Sequence, residues 1–416
     1  MIRLIYLHQY FVRPEQGGGT RSFEFARRLA HSGFDIHVVT SDRTRSTAAW
    51  TTDTVSGFTV HSIGIPYSNK MTYRQRVVAF SRFALSASKH ARRLKPDIVF
   101  ATSTPLTIGI PALWAIAFRS APMVFEVRDL WPEMPIAVGA LSSKPAVTLA
   151  RWLERTVYRR STRIVALSPG MRDGIVSTGY DTSRVAVIPN ACDIDMFTVA
   201  ESETTAWLNQ HAYLKNRRFV LYAGTIGRIN GVSYLVDVAA RAMALNSTLQ
   251  FVVIGDGAEA QAISQRAADA GVLNVNFFLL PHTNKRDVAC ALSACALASS
   301  LFLPIPAMEA NSANKFFDAL AAGRPVALNY GGWQMELLHQ WDAGIQLPRD
   351  PAHAAQLLIQ ATNDPAHLEL MGRNARELGR THFDRDQLAC ELTNVLMRAL
   401  ADARQRTPTP HIGPHD

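Results

Sequence analysis

The chain is poor in cysteine. Its four thiols (Cys192, Cys290, Cys295, Cys390) form no CxxC pair and no paired spacing. That argues against a disulfide framework or a zinc site and fits a reducing compartment. The first residues, MIRLIYLHQYF, lack a long apolar run and a small-residue cleavage site, so they read as a strand and not as a secretory signal. One uncharged stretch, Ile98 to Phe118, has roughly the length of a bilayer-spanning helix. Pro105, Gly109, Pro111 and a Thr-Ser-Thr cluster interrupt it, so a buried strand, a turn and a buried helix are the better reading. HExxH, GxSxG and a Walker A lysine are all missing, and the dyad Asp193-Ile194-Asp195 stands in a linker. No metal dependence and no protein nucleophile are therefore expected.

What the chain does have is alternation. Apolar runs at Arg3–Leu7, Asp35–Thr40, Ile98–Ala101, Val124–Val127, Ile164–Leu167, Val185–Ile188, Phe219–Tyr222, Gln250–Ile254 and Val326–Leu328 are separated mostly by helical patterns. Strand then helix, repeated, predicts an α/β fold with parallel sheets covered by helices. The pattern turns irregular and polar over residues 190–215 and then restarts with FVLYAG. Two doubly wound, Rossmann-like domains are expected, over 1–200 and 210–380, facing each other across a cleft. A helix over 381–404 that could cross back to the first domain follows, and then a disordered tail, 405–416.

Charge is uneven. Residues 1–190 carry 25 Lys/Arg against 12 Asp/Glu, and the remainder 18 against 22, within a net charge of +9. A basic first half points to an anionic partner such as a membrane surface, or else to a solvated basic face. Tyr73 to Lys95 mixes Arg and Lys with Val77, Val78, Phe80, Phe83 and Leu85, the pattern of a helix that lies on a membrane or packs on its own domain.

Candidate site residues cluster where strands end. Gly17, Gly18 and Gly19 follow the first strand and let backbone approach a phosphate or a sugar, or simply make a turn; His8 and Arg21 flank them. The strand VFEV ends at Arg128, Asp129 and Glu133, where charge serves either chemistry or an ion pair that orders the loop. FVLYAGTIGRING is a strand, a glycine turn and a helix start, and Arg228 could add charge for an anion there; IGDG, with Asp256, is a further turn. The richest stretch runs from Glu309 to Gly332. A helix from about Asn314 to Ala322, closed by Gly323, would aim its first-turn N–H groups and Lys315 at an anion, with Asp318 placed for hydroxyls beside it. Anion plus hydroxyls points to a nucleotide-sugar or another phosphorylated carbohydrate.

Taken in order, YLHQYF, FEVRDLWPE, RIVALSPGM, VIPNACD, YAGTIGRINGVSYL, VVIGDGAE and NSANKFFDALAAGRPVALNYGG resemble a bacterial family 4 glycosyltransferase of GT-B architecture. Within that family the likeness is greatest to the L-fucosamine transferases of O-antigen and colanic-acid-type polysaccharide synthesis. The resemblance covers about residues 1–380. It implies retaining, metal-independent transfer of an N-acetylated amino or deoxyamino sugar from a UDP-sugar, with no cofactor. It also implies an undecaprenyl-diphosphate-linked acceptor, a peripheral place at the inner face of the cytoplasmic membrane, and no nucleic-acid partner. Arg128, Asp129 and Glu309 would be catalytic. Gly18, Gly19, Thr225, Gly227, Arg228, Asn230, Asp256, Asn314, Lys315 and Asp318 would hold the donor, and His8, Arg21 and Glu133 the acceptor.

The sequence departs from the family pattern at several of these positions. Asp318 stands for the second acid of E-x7-E, while Ala310 occupies the place of the first, one residue after Glu309. Thr225 and Asn230 replace the usual phosphate-binding pair, leaving Arg228 and Lys315 to supply the charge. Arg128 stands where many members have histidine. A sugar-nucleotide epimerase or hydrolase of the same architecture, or a sugar-binding protein without chemistry, remains open at this point.

Overall fold

The computed structural model describes residues 1–14, 19–68, 71–117, 121–245 and 247–406. The chain divides into two compact units. The first comprises Met1–Val12, Thr20–Ile188 and the segment from Ala389; the second comprises Arg13–Gly19 and Pro189–Leu388.

The first unit is built on an eight-stranded sheet. Its strands are β1 (Ile2–Leu7), β2 (Phe34–Asp42), β3 (Trp50–Val55), β4 (Phe58–Gly64), β5 (Ile98–Thr102), β6 (Met123–Val127), β7 (Arg163–Ala166) and β8 (Val185–Val187). The order is β3-β4-β2-β1-β5-β6-β7-β8, parallel throughout except for the β3–β4 hairpin. Helices α1 (Arg21–His31), α2 (Tyr73–Arg93), α3 (Gly109–Ile116), α4 (Glu133–Ala137), α5 (Lys144–Arg160) and α6 (Pro169–Ser177) connect the strands. β5 and β6 are buried at every residue. A parallel strand covered on both faces reads as a continuous apolar run for that reason. Residues 98–116 are thus β5, a turn and α3, although α3 exposes Trp114 where a buried helix was expected, and among the described residues no helix is long and apolar enough to cross a membrane.

The second unit has a wholly parallel six-stranded sheet, β11-β10-β9-β12-β13-β14. Its strands are β9 (Phe219–Ala223), β10 (Gln250–Ile254), β11 (Phe277–Leu280), β12 (Leu297–Ser300), β13 (Val326–Leu328) and β14 (Gly344–Gln346). The helices are α7 (Ile194–Phe197), α8 (Glu201–Gln210), α9 (Ser233–Ala244), α10 (Ala260–Asp269), α11 (Lys285–Ala294), α12 (Asn314–Ala321), α13 (Trp333–Trp341), α14 (Pro351–Thr362), α15 (Pro365–His382) and α16 (Arg385–Arg406). α16 begins in this unit, but its later part belongs to the first, where Asp402 pairs with Arg163 of β7 at 2.9 Å. The expected tail falls, from residue 407 on, outside the described residues.

The long segment of the first unit ends at Ile188, just before the polar stretch of residues 190–215. That stretch is ordered helix, because Phe197 of α7 and Trp207 of α8 are buried in the core of the second unit. Fully burying such a side chain contributes about 1.5–3 kcal/mol. In both sheets the strand order reverses beside the first strand of the unit, between β1 and β5 and between β9 and β12. Ligands of such sheets bind beyond the carboxyl ends of the strands at that reversal.

Candidate active site

In the second unit, the turns after β9 and β10 are pressed backbone to backbone. Gly224 N–H donates to Ile254 O at 2.9 Å, and Ile226 N–H donates to Asp256 O at 2.9 Å. A Cβ on Gly255 would stand 2.0 Å from Gly224 O, and one on Gly257 2.3 Å from Ile226 O, so side chains are excluded at both. Behind the first turn, Gly231 is left-handed (φ 57°), and Leu303 N–H donates to Ile229 O at 2.8 Å, which pins the Arg228–Asn230 turn. Arg228 is exposed and has no side-chain partner among the described residues.

Lys315, in the first turn of α12, lies over this glycine turn. A Cβ on Gly224 would be 3.1 Å from Lys315 Cδ and 3.6 Å from its Nζ. The ammonium stands 5.0 Å from the Tyr222 ring and 5.5 Å from the Phe302 ring, and no carboxylate lies within ion-pair distance of it among the described residues. Burial pushes its pKa down to about 8, with Asp318 pulling the other way. The residue before α12 is Ala313, which offers no side-chain cap; its own N–H donates to Asn311 Oδ1 at 2.9 Å and the Phe316 N–H to Ala313 O at 3.1 Å, so Asn314 and Lys315 carry the uncapped N–H groups. The arrangement is a cation, a helix start without a side-chain cap and a turn with glycine at 224 and 227, which together suit a diphosphate.

At the carboxyl ends of β1, β5 and β6 the first unit gathers a second polar set. The buried His8 accepts through Nε2 from Arg128 Nη1 at 3.4 Å. Burial, then Arg128 and Arg43, hold its pKa well below the usual range, so the ring is neutral. Its Nδ1 and both amide atoms of the buried Gln9 have no hydrogen-bond partner among the described residues. Ser103 Oγ accepts from Arg128 N–H at 3.0 Å, and Thr104 donates to Asp129 at 2.9 Å. Burial raises the Asp129 pKa against the pull of Thr104 and Arg128.

The two halves of the chain match two known families in succession. Residues 16–191 match the Glycosyl transferase 4-like domain, and residues 203–378 match Glycosyl transferases group 1. The chain is a family 4 glycosyltransferase of the GT-B fold. It is similar to the Escherichia coli K12 protein named putative colanic acid biosynthesis glycosyl transferase WcaI, at 23% identity over 94% of this chain and 97% of that one. Among solved structures it resembles sucrose-phosphate synthase from Thermosynechococcus elongatus, with TM-score 0.75, 15% identity, and 96% and 100% of the two chains covered. It also resembles Anabaena HepE in complex with UDP-glucose, with TM-score 0.72, 16% identity, and 96% and 100% covered.

The transferase brings several of the expected residues together. Thr225, Gly227, Arg228 and Asn230 form one turn, Asp256 the turn beside it, and Asn314 and Lys315 the helix start. Asp256 is exposed and accepts from Gly257 N–H at 2.7 Å. Glu309 is exposed and stands against the Gly331–Gly332 turn, where a Cβ on Gly331 would be 3.6 Å from its Oε1. Gly19 leads into α1, while Gly18 lies outside the described residues.

Two residues, Arg21 and Glu133, do other work than expected, and a third, Asp318, is engaged by a neighbouring lysine. Arg21 is 3% exposed, so it cannot face an acceptor. It donates to Glu126 Oε1 from Nε at 3.0 Å and from Nη2 at 2.8 Å, and to Ile188 O at 2.8 Å. Burial would raise the Glu126 pKa, but Arg21, Arg128 and a 2.6 Å hydrogen bond from Thr102 outweigh it and hold the carboxyl below its usual range. Glu133 is on the surface of α4, paired with Arg151 of α5 at 3.1 Å. Asp318 is turned toward Lys285, 3.6 Å away. Burial raises its pKa, Lys285 and Arg385 lower it, and Asp193 adds to the rise. Glu126, Thr102, Gln9 and Lys285 were not expected to matter, although a glutamate inside the apolar run VFEV was a visible signal.

Proposed function

We propose that this glycosyltransferase moves a sugar from a UDP-sugar to a lipid-diphosphate-linked acceptor in surface-polysaccharide synthesis. The observation that carries the donor half is Lys315, with no acid within ion-pair distance among the described residues and laid across the glycine turn at Gly224. The similarity to WcaI, named for colanic acid biosynthesis, and to HepE, solved with UDP-glucose, supports polysaccharide synthesis and a UDP-sugar.

In this reading the C1–O bond to the diphosphate breaks while the acceptor oxygen bonds to C1 from the same face. The acceptor proton passes to the departing phosphate oxygen, so configuration is retained without a protein nucleophile or a metal. Lys315, Arg228 and the α12 N-terminus stabilise the charge that grows on the diphosphate. Glu309 orients sugar hydroxyls, and Asp318, with Lys285, lines the ribose side. Arg128, Asp129 and His8 receive the acceptor. A neutral histidine and a lone arginine suit its hydroxyl and phosphate better than a catalytic imidazolium would. The donor carries an N-acetylated amino or deoxyamino sugar.

The first unit also offers a face for the lipid. α3 packs against α2 and α5, and these three helices expose Val78, Leu85, Trp114, Leu149 and Trp152. The same helices carry eleven Lys/Arg and a single acid, the buried Glu154. Exposed tryptophan among cations suits the interface of an anionic bilayer. The enzyme would then work as a peripheral protein on the cytoplasmic side.

The decisive experiment supplies a panel of UDP-sugars with and without a lipid-diphosphate acceptor. Release of UDP only when the acceptor is present, with the donor's anomeric configuration kept in the product, is the expected result. Rapid turnover without acceptor would instead establish a hydrolase or epimerase.

A further inference from the structure

The amino ends of the second unit's strands enclose a cavity of about 490 Å³ that the donor site does not use. Arg217 and Arg218 line it just before β9, Arg324 just before β13, and Arg373 and Arg376 from α15. One carboxylate, Glu369, faces them and pairs with Arg373 at 2.7 Å. Five guanidinium groups against one carboxylate is a marked concentration, because residues 191–416 as a whole carry more acids than bases.

The backbone is shaped to bring them together. Gly323 closes α12 in the left-handed region (φ 64°), and a Cβ on Gly372 would stand 2.6 Å from Gly323 O. That glycine contact lets α15 lie directly on the turn, and it brings Arg376 against Gly323, beside Arg324. The guanidinium groups are not used up by the fold. Arg217 and Arg218 have no side-chain partner among the described residues. Arg376 donates to Thr198 Oγ1 at 2.5 Å. Arg324 donates to Ser293 O through Nη2, and its buried Nε has no partner among the described residues. A buried N–H left unpaired costs roughly 1–3 kcal/mol unless something else meets it.

We propose that this cavity is a second anion site, which takes a small compound carrying two or more phosphate charges. Planar guanidinium forks match phosphate oxygens in pairs, and the volume suits a ligand of sugar-phosphate or nucleotide size. The site is joined to the donor turn by α12, which has Lys315 in its first turn and runs to the Gly323–Arg324 turn. At eight residues that is roughly 12 Å of rigid helix. A ligand drawn to Arg324 therefore acts on the element that positions Lys315.

The test is calorimetry of the full chain with inorganic pyrophosphate, on wild type, Lys315→Gln and Arg217→Gln/Arg376→Gln. Two classes of site are expected in wild type. Lys315→Gln keeps one of them, and the double arginine variant weakens that one by at least about tenfold. Lys315→Gln protein that binds no pyrophosphate, or binding indifferent to the arginine substitutions, would overturn the proposal. A second measurement does not depend on how the arginine variants fold. Pyrophosphate should protect Arg217 and Arg376 of the Lys315→Gln protein from a dicarbonyl reagent, read by peptide mass spectrometry. Equal modification with and without pyrophosphate also refutes the site.

Discussion

Lys315 gives the sharpest quantitative test of the donor site. Its pKa in the free protein is down to about 8, because burial disfavours the ammonium and no acid within ion-pair distance restores it. A diphosphate oxygen at contact would reverse this. At about 4 Å and an effective dielectric near 20, one charge pair is worth about 4 kcal/mol, or about three pKa units. Binding should therefore lift Lys315 above about 10 and draw in a proton wherever the free lysine is partly deprotonated. A nucleoside diphosphate is already ionised at pH 8, so the uptake belongs to the protein. The expected count is near zero at pH 6.5, about one half at pH 8 and about 0.9 at pH 9. Calorimetric titration of UDP in HEPES and in Tris reads it as the dependence of enthalpy on buffer ionisation. Lys315→Arg should bind UDP with no uptake, and Lys315→Gln should bind about 10–150-fold more weakly. A buffer-independent enthalpy at pH 8, with unchanged affinity in Lys315→Gln, would remove Lys315 from the site. In the unliganded protein the same shift makes stability rise as pH climbs from 8 towards 10.5, because the unfolded chain holds the proton longer.

Other expectations follow from the same geometry. Glu126→Gln leaves a buried guanidinium uncompensated and should cost about 3–5 kcal/mol in denaturant unfolding, whereas Arg21→Met/Glu126→Leu should recover much of it; equal losses in both would contradict the pairing. Gly255→Ala forces a Cβ to within 2.0 Å of Gly224 O and should weaken UDP binding and lower the melting temperature together; wild-type behaviour would mean that the two turns are not pressed together. The proposed membrane face predicts flotation with anionic but not neutral liposomes, lost in Trp114→Ala/Trp152→Ala and on reversing the charge of Arg74, Arg76, Arg92 and Arg93; flotation indifferent to lipid charge would end that reading. His61, hydrogen-bonded to His37 at 2.9 Å and packed on His90, has its pKa lowered to about 4 by burial and then by those two rings. Because the folded value lies below the unfolded one, stability should fall as pH drops from about 6.5 towards 4, and His61→Gln should flatten that slope in thermal melts.

Which parts of this were legible in the sequence depended on how each residue is satisfied. β5 and β6 are buried on both faces, so their apolar runs announced them. β12 is as central, between β9 and β13, yet reads LASS. Its serines are tolerated because Ser299 donates to Leu221 O at 3.0 Å and Ser300 meets the Tyr330 hydroxyl at 3.0 Å. Both partners lie far along the chain, so no local pattern could show the strand. The α12 helix was readable because its signals are local: a helical apolar stripe, and a glycine that stops it at φ 64°. The arginines at 217, 218, 324, 373 and 376 carry no such local signal, and only the meeting of two strand starts with α15 makes them one cavity.

Arg21 shows how far a stricter use of the sequence could have gone. A basic residue behind a glycine-rich loop looks like a ligand contact, because both occur together at phosphate sites. But the strand VFEV had already placed a carboxylate where water cannot reach. A buried carboxylate must find a cation or lose its charge, and an unpaired one costs more than any single cap or turn contributes. Some arginine or lysine was therefore committed to Glu126 before any ligand was considered. β1 neighbours β5, and β5 neighbours β6, so a helix entering directly from β1 was the nearest source, and Arg21 is in its first turn. The same reasoning separates two cations that sequence alone had both assigned to ligands, Arg21 to the acceptor and Lys315 to the donor. Arg21 answers a charge that the fold itself buries, whereas among the described residues Lys315 answers none within ion-pair distance, and so Lys315 is the one we propose for the substrate.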